Sequence, residues 1–280
     1  GYTTYNAVHW NGTEWELKKI GGIGGWTCHT IFAFNENDIW FEGTIHWDGS
    51  NYNVHKNGWP LMPNGDGWQV NKMWGSSSND LYAVGNSGNI AHWDGRKWMK
   101  IESPIGTGGT MVDLRDVWGM IGSDEIFVSG YSTDLSKSIL IRLKNNTSET
   151  IWENYNISGT PPYGNLIYSI SGSINNLFIV SNQGVYKNNF LINYPSQKIF
   201  TVPRRVYKVL ATNINDIYTA GDRSNIWHFN GISKKELFAN LYVPSPLYSA
   251  AIKENIFVAV GTTIENVIYH QATIIILKKT

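Results

Sequence analysis

The sequence predicts an all-β fold: a single β-propeller of four-stranded antiparallel blades set around an axis. Three observations carry this. A unit of roughly forty residues recurs, with anchors at Asp38, Asp80, Glu125, Asn176, Asp216 and Asn255 spaced 42, 45, 51, 40 and 39 residues apart. Each unit holds four short β-branched and aromatic segments, as half-buried pleats require. All nine prolines (60, 63, 104, 161, 162, 195, 203, 244, 246) fall between one unit's fourth segment and the next unit's first, so none removes a ladder hydrogen bond.

The clearest unit fixes the elements. Residues 71–76, 81–85, 89–93 and 97–101 are its strands a to d. An Asn-Asp pair separates a from b. Asp-Gly at 48–49 and 94–95, and Asn-Gly at 11–12 and 230–231, separate c from d and are expected to close two-residue hairpins, because both residue types tolerate positive φ. Six a–b pairs are present. Residues 5–12 and 15–20 add one c–d pair without inner strands. The expected ring has seven positions with an incomplete N-terminal blade; six blades plus an extra hairpin is the alternative. The chain reads as one domain, with a partial blade at 3–20 and blades at about 26–57, 68–102, 112–156, 163–194, 204–240 and 246–279.

Composition narrows the function. Twenty-two basic and 22 acidic residues among 280 leave no formal net charge, which argues against nucleic acid bound through bulk charge. The apolar stretch at 272–277 is far too short to span a bilayer. A single cysteine, Cys28, excludes an internal disulfide and a cysteine zinc cluster. No signal peptide is visible, and Gly1 opens directly into strand-like sequence, as in a mature or trimmed product. The glycine run at 21–25 lacks the Lys-Ser/Thr of a phosphate loop, and no Gly-x-Ser-x-Gly elbow occurs. No cofactor is expected.

The string Trp-Gly-Ser-Ser (74–77), Asp-Leu-Tyr-Ala-Val-Gly (80–85), Gly-Asn-Ile-Ala-His-Trp-Asp-Gly (88–95) and Trp98 resembles repeats of bacterial secreted or surface β-propellers. It is similar, more loosely, to propellers of the photosystem II assembly-factor type and to sialidase-like Asp-box propellers. The resemblance implies an exported binding or assembly module, extracellular, at the cell surface or periplasmic, and implies no reaction. In the Asp-box family one residue separates the Asp from its Gly; here the two adjoin. The six arginines (96, 115, 142, 204, 205, 223) match no catalytic motif of that family, so no catalytic residue is carried over.

Residues that recur at one blade position are kept apart by the ring and obey a shared packing rule. His9, His46, His92 and His228 are therefore expected to be structural, bonding a neighbouring blade, and not zinc ligands. Residues that differ between blades yet share a face are the better candidates. Trp26, Trp59 and Trp68 lie on long Gly/Pro-rich d-to-a connections, as does Tyr163; exposed, they would stack on a sugar or anchor a protein. Trp26 and Trp68 have the competing reading of caps on the blade interface. Eight residues before the anchors stand Thr30, Lys72, Tyr168, Lys208 and Leu247, with Asp116 in the unit whose a–b turn is one residue longer. Lys72, Asp116, Tyr168 and Lys208 are expected to line a polar channel mouth, with His29, Arg115, Arg204 and Arg205 just upstream.

These features favour a non-catalytic module that presents an aromatic loop face to a protein or glycan at or outside the cell envelope. Two alternatives stand beside it. A glycoside hydrolase or lyase would need two of Asp113, Asp116, Glu42 and Asp66 to meet across a pocket. An assembly subunit would carry an apolar patch on its outer rim.

Overall fold

The structure is a computed structural model that describes residues 5–21, 27–105, 112–134, 137–155, 163–164, 166–173, 175–189, 196–240, 245–264 and 270–278. The N-terminal hairpin pairs β1 (Ala7–Trp10) with β2 (Trp15–Lys18). Blade I contains β3 (Ile31–Asn35), β4 (Asp38–Phe41), β5 (Ile45–Trp47) and β6 (Tyr52–Val54). Blade II contains β7 (Val70–Ser77), β8 (Asp80–Gly85), β9 (Ile90–Trp93) and β10 (Trp98–Ile101). Blade III contains β11 (Asp113–Gly119), β12 (Ile126–Ser132), β13 (Lys137–Lys144) and β14 (Thr147–Tyr155). Blade IV contains β15 (Ile167–Ser173), β16 (Asn176–Ser181), β17 (Gly184–Asn189) and β18 (Gln197–Phe200). Blade V contains β19 (Val206–Asn213), β20 (Asp216–Gly221), β21 (Ile226–Phe229) and β22 (Lys234–Phe238). Blade VI contains β23 (Leu247–Lys253), β24 (Ile256–Ile264) and β25 (His270–Lys278).

Every blade is an antiparallel meander in sequence order. Of the two rings the sequence allows, six blades with an additional hairpin is the one found, in place of seven positions. The innermost strands of successive blades, β3, β7, β11, β15, β19 and β23, pack side by side in that order.

The c–d turns correct one expectation. Asp48 N–H donates to Asn51 O at 3.1 Å and Asp94 N–H to Lys97 O at 3.2 Å, so the two residues inside each closing bond are Gly49–Ser50 and Gly95–Arg96, one position later than the Asp-Gly pair itself. The reason is the side chain of the first turn residue. Asp48 Oδ1 accepts from the Ser50 and Asn51 amides at 2.9 and 2.7 Å, and Asp94 Oδ1 accepts from Arg96 and Lys97 at 2.9 and 2.8 Å. Asn230 and Asn11 do the same in their turns. These side-chain bonds take the amides on the far side of each turn and brace it beside its single backbone bond. The following glycines keep positive φ: +90° at Gly49, +87° at Gly95 and +89° at Gly231.

Packing between blades explains the Trp-Gly pairs. Trp74 of blade II lies over Gly119 of blade III, and Trp118 of blade III lies over Gly172 of blade IV. A Cβ on either glycine would sit 2.5 or 2.3 Å from the indole. Five apolar clusters fill the junctions I/II, II/III, III/IV, IV/V and V/VI.

The recurrent histidines bond mainly within their own blade. His46 Nε2 lies 2.9 Å from Asp38 Oδ1, His92 Nε2 2.7 Å from Asp80 Oδ1, and His228 Nε2 2.8 Å from Asp216 Oδ1. Each pair joins strand c to the start of strand b. Among the described residues, only His92 adds the expected bond to a neighbouring blade, through Nδ1 to Asn146 Oδ1 at 2.7 Å.

Candidate functional site

The channel mouth is built by a β-bulge repeated around the ring. In blades II to VI the first strand shifts register against the second at Val70/Lys72, Leu114/Asp116, Ile167/Ser169, Val206/Lys208 and Leu247/Ser249. A bulge sets two residues opposite one and re-aims a side chain that regular pleating would send elsewhere. Two stacked rings of side chains result. The residues after the bulge are Lys72, Asp116, Ser169, Lys208 and Ser249, and Thr30 takes this place in blade I. The bulged residues are Asn71, Arg115, Tyr168, Tyr207 and Tyr248, with His29 in blade I. All of these except Ser169 line one cavity of about 330 Å³ on the axis.

The expected quartet therefore gathers at one opening: Lys72, Asp116, Tyr168 and Lys208 all face this cavity. Two positions differ from the sequence alignment. Ser169 and Ser249, not Tyr168 and Leu247, are the equivalents of Lys72. Counting back from the anchors slips here because blades II and V carry a second bulge near the a–b turn, at Gly75/Ser77 and Ala211/Asn213, whereas β15 and β23 run into their turns without one. Tyr207 and Tyr248 belong to the opening as well, and the upstream bulge that places them has no signature in residue type.

The electrostatics are asymmetric. Asp116, 2% exposed, is saturated. Its Oδ2 accepts from Lys208 Nζ at 2.6 Å, Ser169 Oγ at 2.6 Å and the Ile170 amide at 3.1 Å; its Oδ1 accepts from the Val117 amide at 3.1 Å. Ser169 Oγ in turn accepts from the Val209 amide at 3.2 Å, so one carboxylate ties blades III, IV and V together. Arg115 reaches Asp113 at 2.9 Å and lies over the Tyr131 ring at 5.1 Å. Among the described residues, the Lys72 ammonium has neither an ion pair nor a hydrogen bond. Burial and the nearby Lys208 charge pull it down to about 8, and Asp116 opposes them only in part. A set of tyrosines borders this cation: rings 168 and 207 are 5.7 Å apart, and rings 207 and 248 are 5.4 Å apart.

The loop aromatics are placed differently from the expectation. Trp68 and Tyr163 are 7% and 2% exposed. Trp68 Nε1 donates to Pro60 O at 2.9 Å, and its ring stacks on Trp59 at 4.9 Å, so both indoles pack at the I/II junction. Tyr163 packs against Trp152 and Tyr186 at the III/IV junction. Neither buried ring forms a ligand surface; they cap blade interfaces. Trp26 lies outside the described residues. Arg204 faces a separate cavity with Arg205 and pairs with Glu236 at 3.4 Å.

The four carboxylates considered for glycoside chemistry are dispersed. Glu42 Oε1 accepts the His29 and Thr30 amides, the second at 2.7 Å. Asp66 accepts from Asn64 Nδ2 at 2.7 Å, Asp113 holds Arg115, and Asp116 is the hub. Of these, Asp116 alone lines the axial cavity. The described residues include no group of three or more His, Cys, Asp or Glu placed to hold a metal ion. A second and wider opening of about 650 Å³ lies among the a–b turns, lined by Trp74, Trp118, Ile121 and Ile214, and carries no charged side chain.

No family model matches the chain. Tectonin-1 of Physarum polycephalum is 36% identical over 53 residues, which is 19% of this chain and 24% of that protein. The likeness thus spans about a quarter of that relative's length. Among solved structures, YCF48 bound to a D1 peptide superposes with a TM-score of 0.66 at 13% identity, covering 99% of this chain and 87% of that one. Sqt1 of Saccharomyces cerevisiae gives 0.56 at 13% identity, with 89% and 72% covered. The extracellular domain of the putative one component system BT4673 of B. thetaiotaomicron gives 0.58 at 13% identity, with 88% and 36% covered. At these identities the likeness is one of fold, and the chain is an all-β propeller of six blades with an additional N-terminal hairpin.

Proposed function

We propose that this propeller is a protein-interaction module that takes an extended peptide segment at its channel mouth, with Lys72 receiving a carboxylate. One observation carries the reading: a partly buried ammonium without an anion, in a cavity whose single acid is already saturated. A cation held in that state gains charge-assisted hydrogen bonds when a carboxylate enters. Tyr168, Tyr207 and Tyr248 supply flat surfaces with hydroxyls for the rest of the segment. A structural neighbour of the same fold was solved with a peptide bound, which supports a protein partner. An extracellular or envelope setting belongs to the same reading. One neighbour is an extracellular domain, and no helix among the described residues is long and apolar enough to cross a membrane. A glycan partner has less support, because Trp68 and Tyr163 are packed inside.

The test is a peptide library with free C-termini, selected on the folded chain and measured by calorimetry on the chain and its Lys72→Met variant. The expected result is enriched peptides that lose about tenfold in affinity with Lys72→Met, equivalent to ~1.4 kcal/mol. Amidation separates a terminal carboxylate from an acidic side chain as the anchor. No enrichment, or equal binding by the variant, would refute the reading.

A further inference from the structure

The lining of the channel mouth has donors to spare and few acceptors. A folded protein normally pairs both, because a polar group out of water without a partner is costly. Here the acceptors are already engaged. Asp116 Oδ2 takes three bonds and its Oδ1 one. Asn71 Oδ1 accepts from Gln69 Nε2 at 3.4 Å, while Asn71 Nδ2 donates to Asn86 Oδ1 and Leu114 O, both at 2.9 Å. Among the donors, Lys72 Nζ has no partner among the described residues, and neither do the hydroxyls of Tyr168 and Tyr248.

The second property is an arc of tyrosines. Rings 131, 168, 207 and 248 come one from each of blades III to VI, with successive centroids 5.6, 5.7 and 5.4 Å apart. Successive planes meet at 80°, 73° and 47°, so neighbouring rings form angled clefts and not a flat wall. At the blade III end the Arg115 guanidinium covers the Tyr131 ring. The two clefts that open on the axial cavity are therefore 168/207 and 207/248. Their shared ring is held in place: Tyr207 OH accepts from Arg205 at 3.4 Å. The outer ring, Tyr248, is 53% exposed, whereas Tyr168 is 8% exposed.

We propose that the channel mouth selects a proline-rich carboxyl-terminal segment in the polyproline II conformation, with pyrrolidine rings in the two tyrosine clefts and the terminal carboxylate on Lys72. The inference rests on the peptide reading above and narrows it to one class of peptide. Each ordinary residue brings an N–H, for which this lining has little left to accept. Proline brings a carbonyl and no N–H. Carbonyls of a polyproline II segment make no internal hydrogen bonds, so they are open to the Tyr168 and Tyr248 hydroxyls. Aromatic-lined clefts suit such a segment, because its conformation is formed before binding and little freedom is lost.

The probe is an acetylated oligoproline of about six residues with a free carboxylate, titrated by calorimetry beside an oligoalanine of the same length and terminus. One-to-one saturation is expected, with the proline peptide about tenfold tighter or more. Tyr248→Leu changes a half-exposed ring and should reduce that advantage by about fivefold. Tyr168→Phe keeps the buried ring, removes only its hydroxyl, and should weaken the proline peptide by about threefold. Lys72→Met should weaken both peptides. Equal affinities for the two peptides, both reduced by Lys72→Met, would overturn the proline inference and leave the carboxylate reading standing. A proline peptide whose affinity is unchanged by Lys72→Met would remove the carboxylate anchor and leave the tyrosine clefts. No saturation by the oligoproline, or a preference untouched by both tyrosine variants, would overturn the inference outright.

Discussion

Lys208 Nζ lies 2.6 Å from Asp116 Oδ2 although the two residues are 92 positions apart, and the blade between them contributes Ser169 to the same oxygen. Three inner strands thus converge on one carboxylate, held where the bulges turn their side chains toward the axis.

Removing that carboxylate leaves a buried ammonium without its counter-charge. Asp116→Ala should cost about 3–5 kcal/mol, and adding Lys208→Met should restore a large part of it. Urea unfolding midpoints of the single and double variants test this. A single variant as stable as the parent would show that the hub is not a fastening.

The Trp-Gly contacts between blades leave no space for a methyl group. Gly119→Ala and Gly172→Ala should each destabilise by about 1–3 kcal/mol, because a Cβ would lie 2.5 and 2.3 Å from the Trp74 and Trp118 rings. Gly67→Ala, where a Cβ meets nothing within 4 Å, serves as the control and should stay within about 0.5 kcal/mol. Thermal unfolding resolves the difference.

The blades were legible in the sequence because packing repeats: Trp-Gly recurs in blades II and III, and the strand-b acid with the strand-c histidine in blades I, II and V. The channel lining was legible only in part. Lys72, Asp116 and Lys208 came from counting back to an anchor, but the count missed Ser169 and Ser249, since a bulge adds a residue without changing residue type. Tyr207 and Tyr248 were missed for the same reason. Trp68 and Tyr163 were misplaced because composition identifies an aromatic loop but not the side toward which it folds.

Acid should loosen the b–c contact. His92 holds the Asp80 carboxyl below its usual value of 3.8, so this group binds protons more readily in the unfolded chain. Its stabilising contribution is present above that value and is lost as pH falls through the lower folded one. The parent should therefore lose stability below about pH 4 more steeply than Asp80→Asn, as denaturant midpoints between pH 2 and 6 would record. Parallel curves would show that the pair contributes nothing.

Lys72 is also lowered, so its slope has the same sign, but here the fold disfavours the charged form. Burial holds it at about 8 against an ordinary 10.5, so between these values the unfolded chain binds more protons and stability rises with pH. Lys72→Met should flatten this rise and leave the protein more stable than the parent at pH 7, while weakening peptide binding. Chemical denaturation at pH 7, 8.5 and 10 checks the stability arm. A variant less stable at pH 7 would mean that the ammonium is compensated in the fold.

The most direct measurement is the titration of the Lys72 side chain itself, followed by NMR at ¹³Cε with Lys72→Arg to assign the signal. The account predicts a midpoint near 8 in the free chain and a higher one once a selected peptide with a free carboxylate is bound. A midpoint at the ordinary 10.5, unchanged by the peptide, would contradict it.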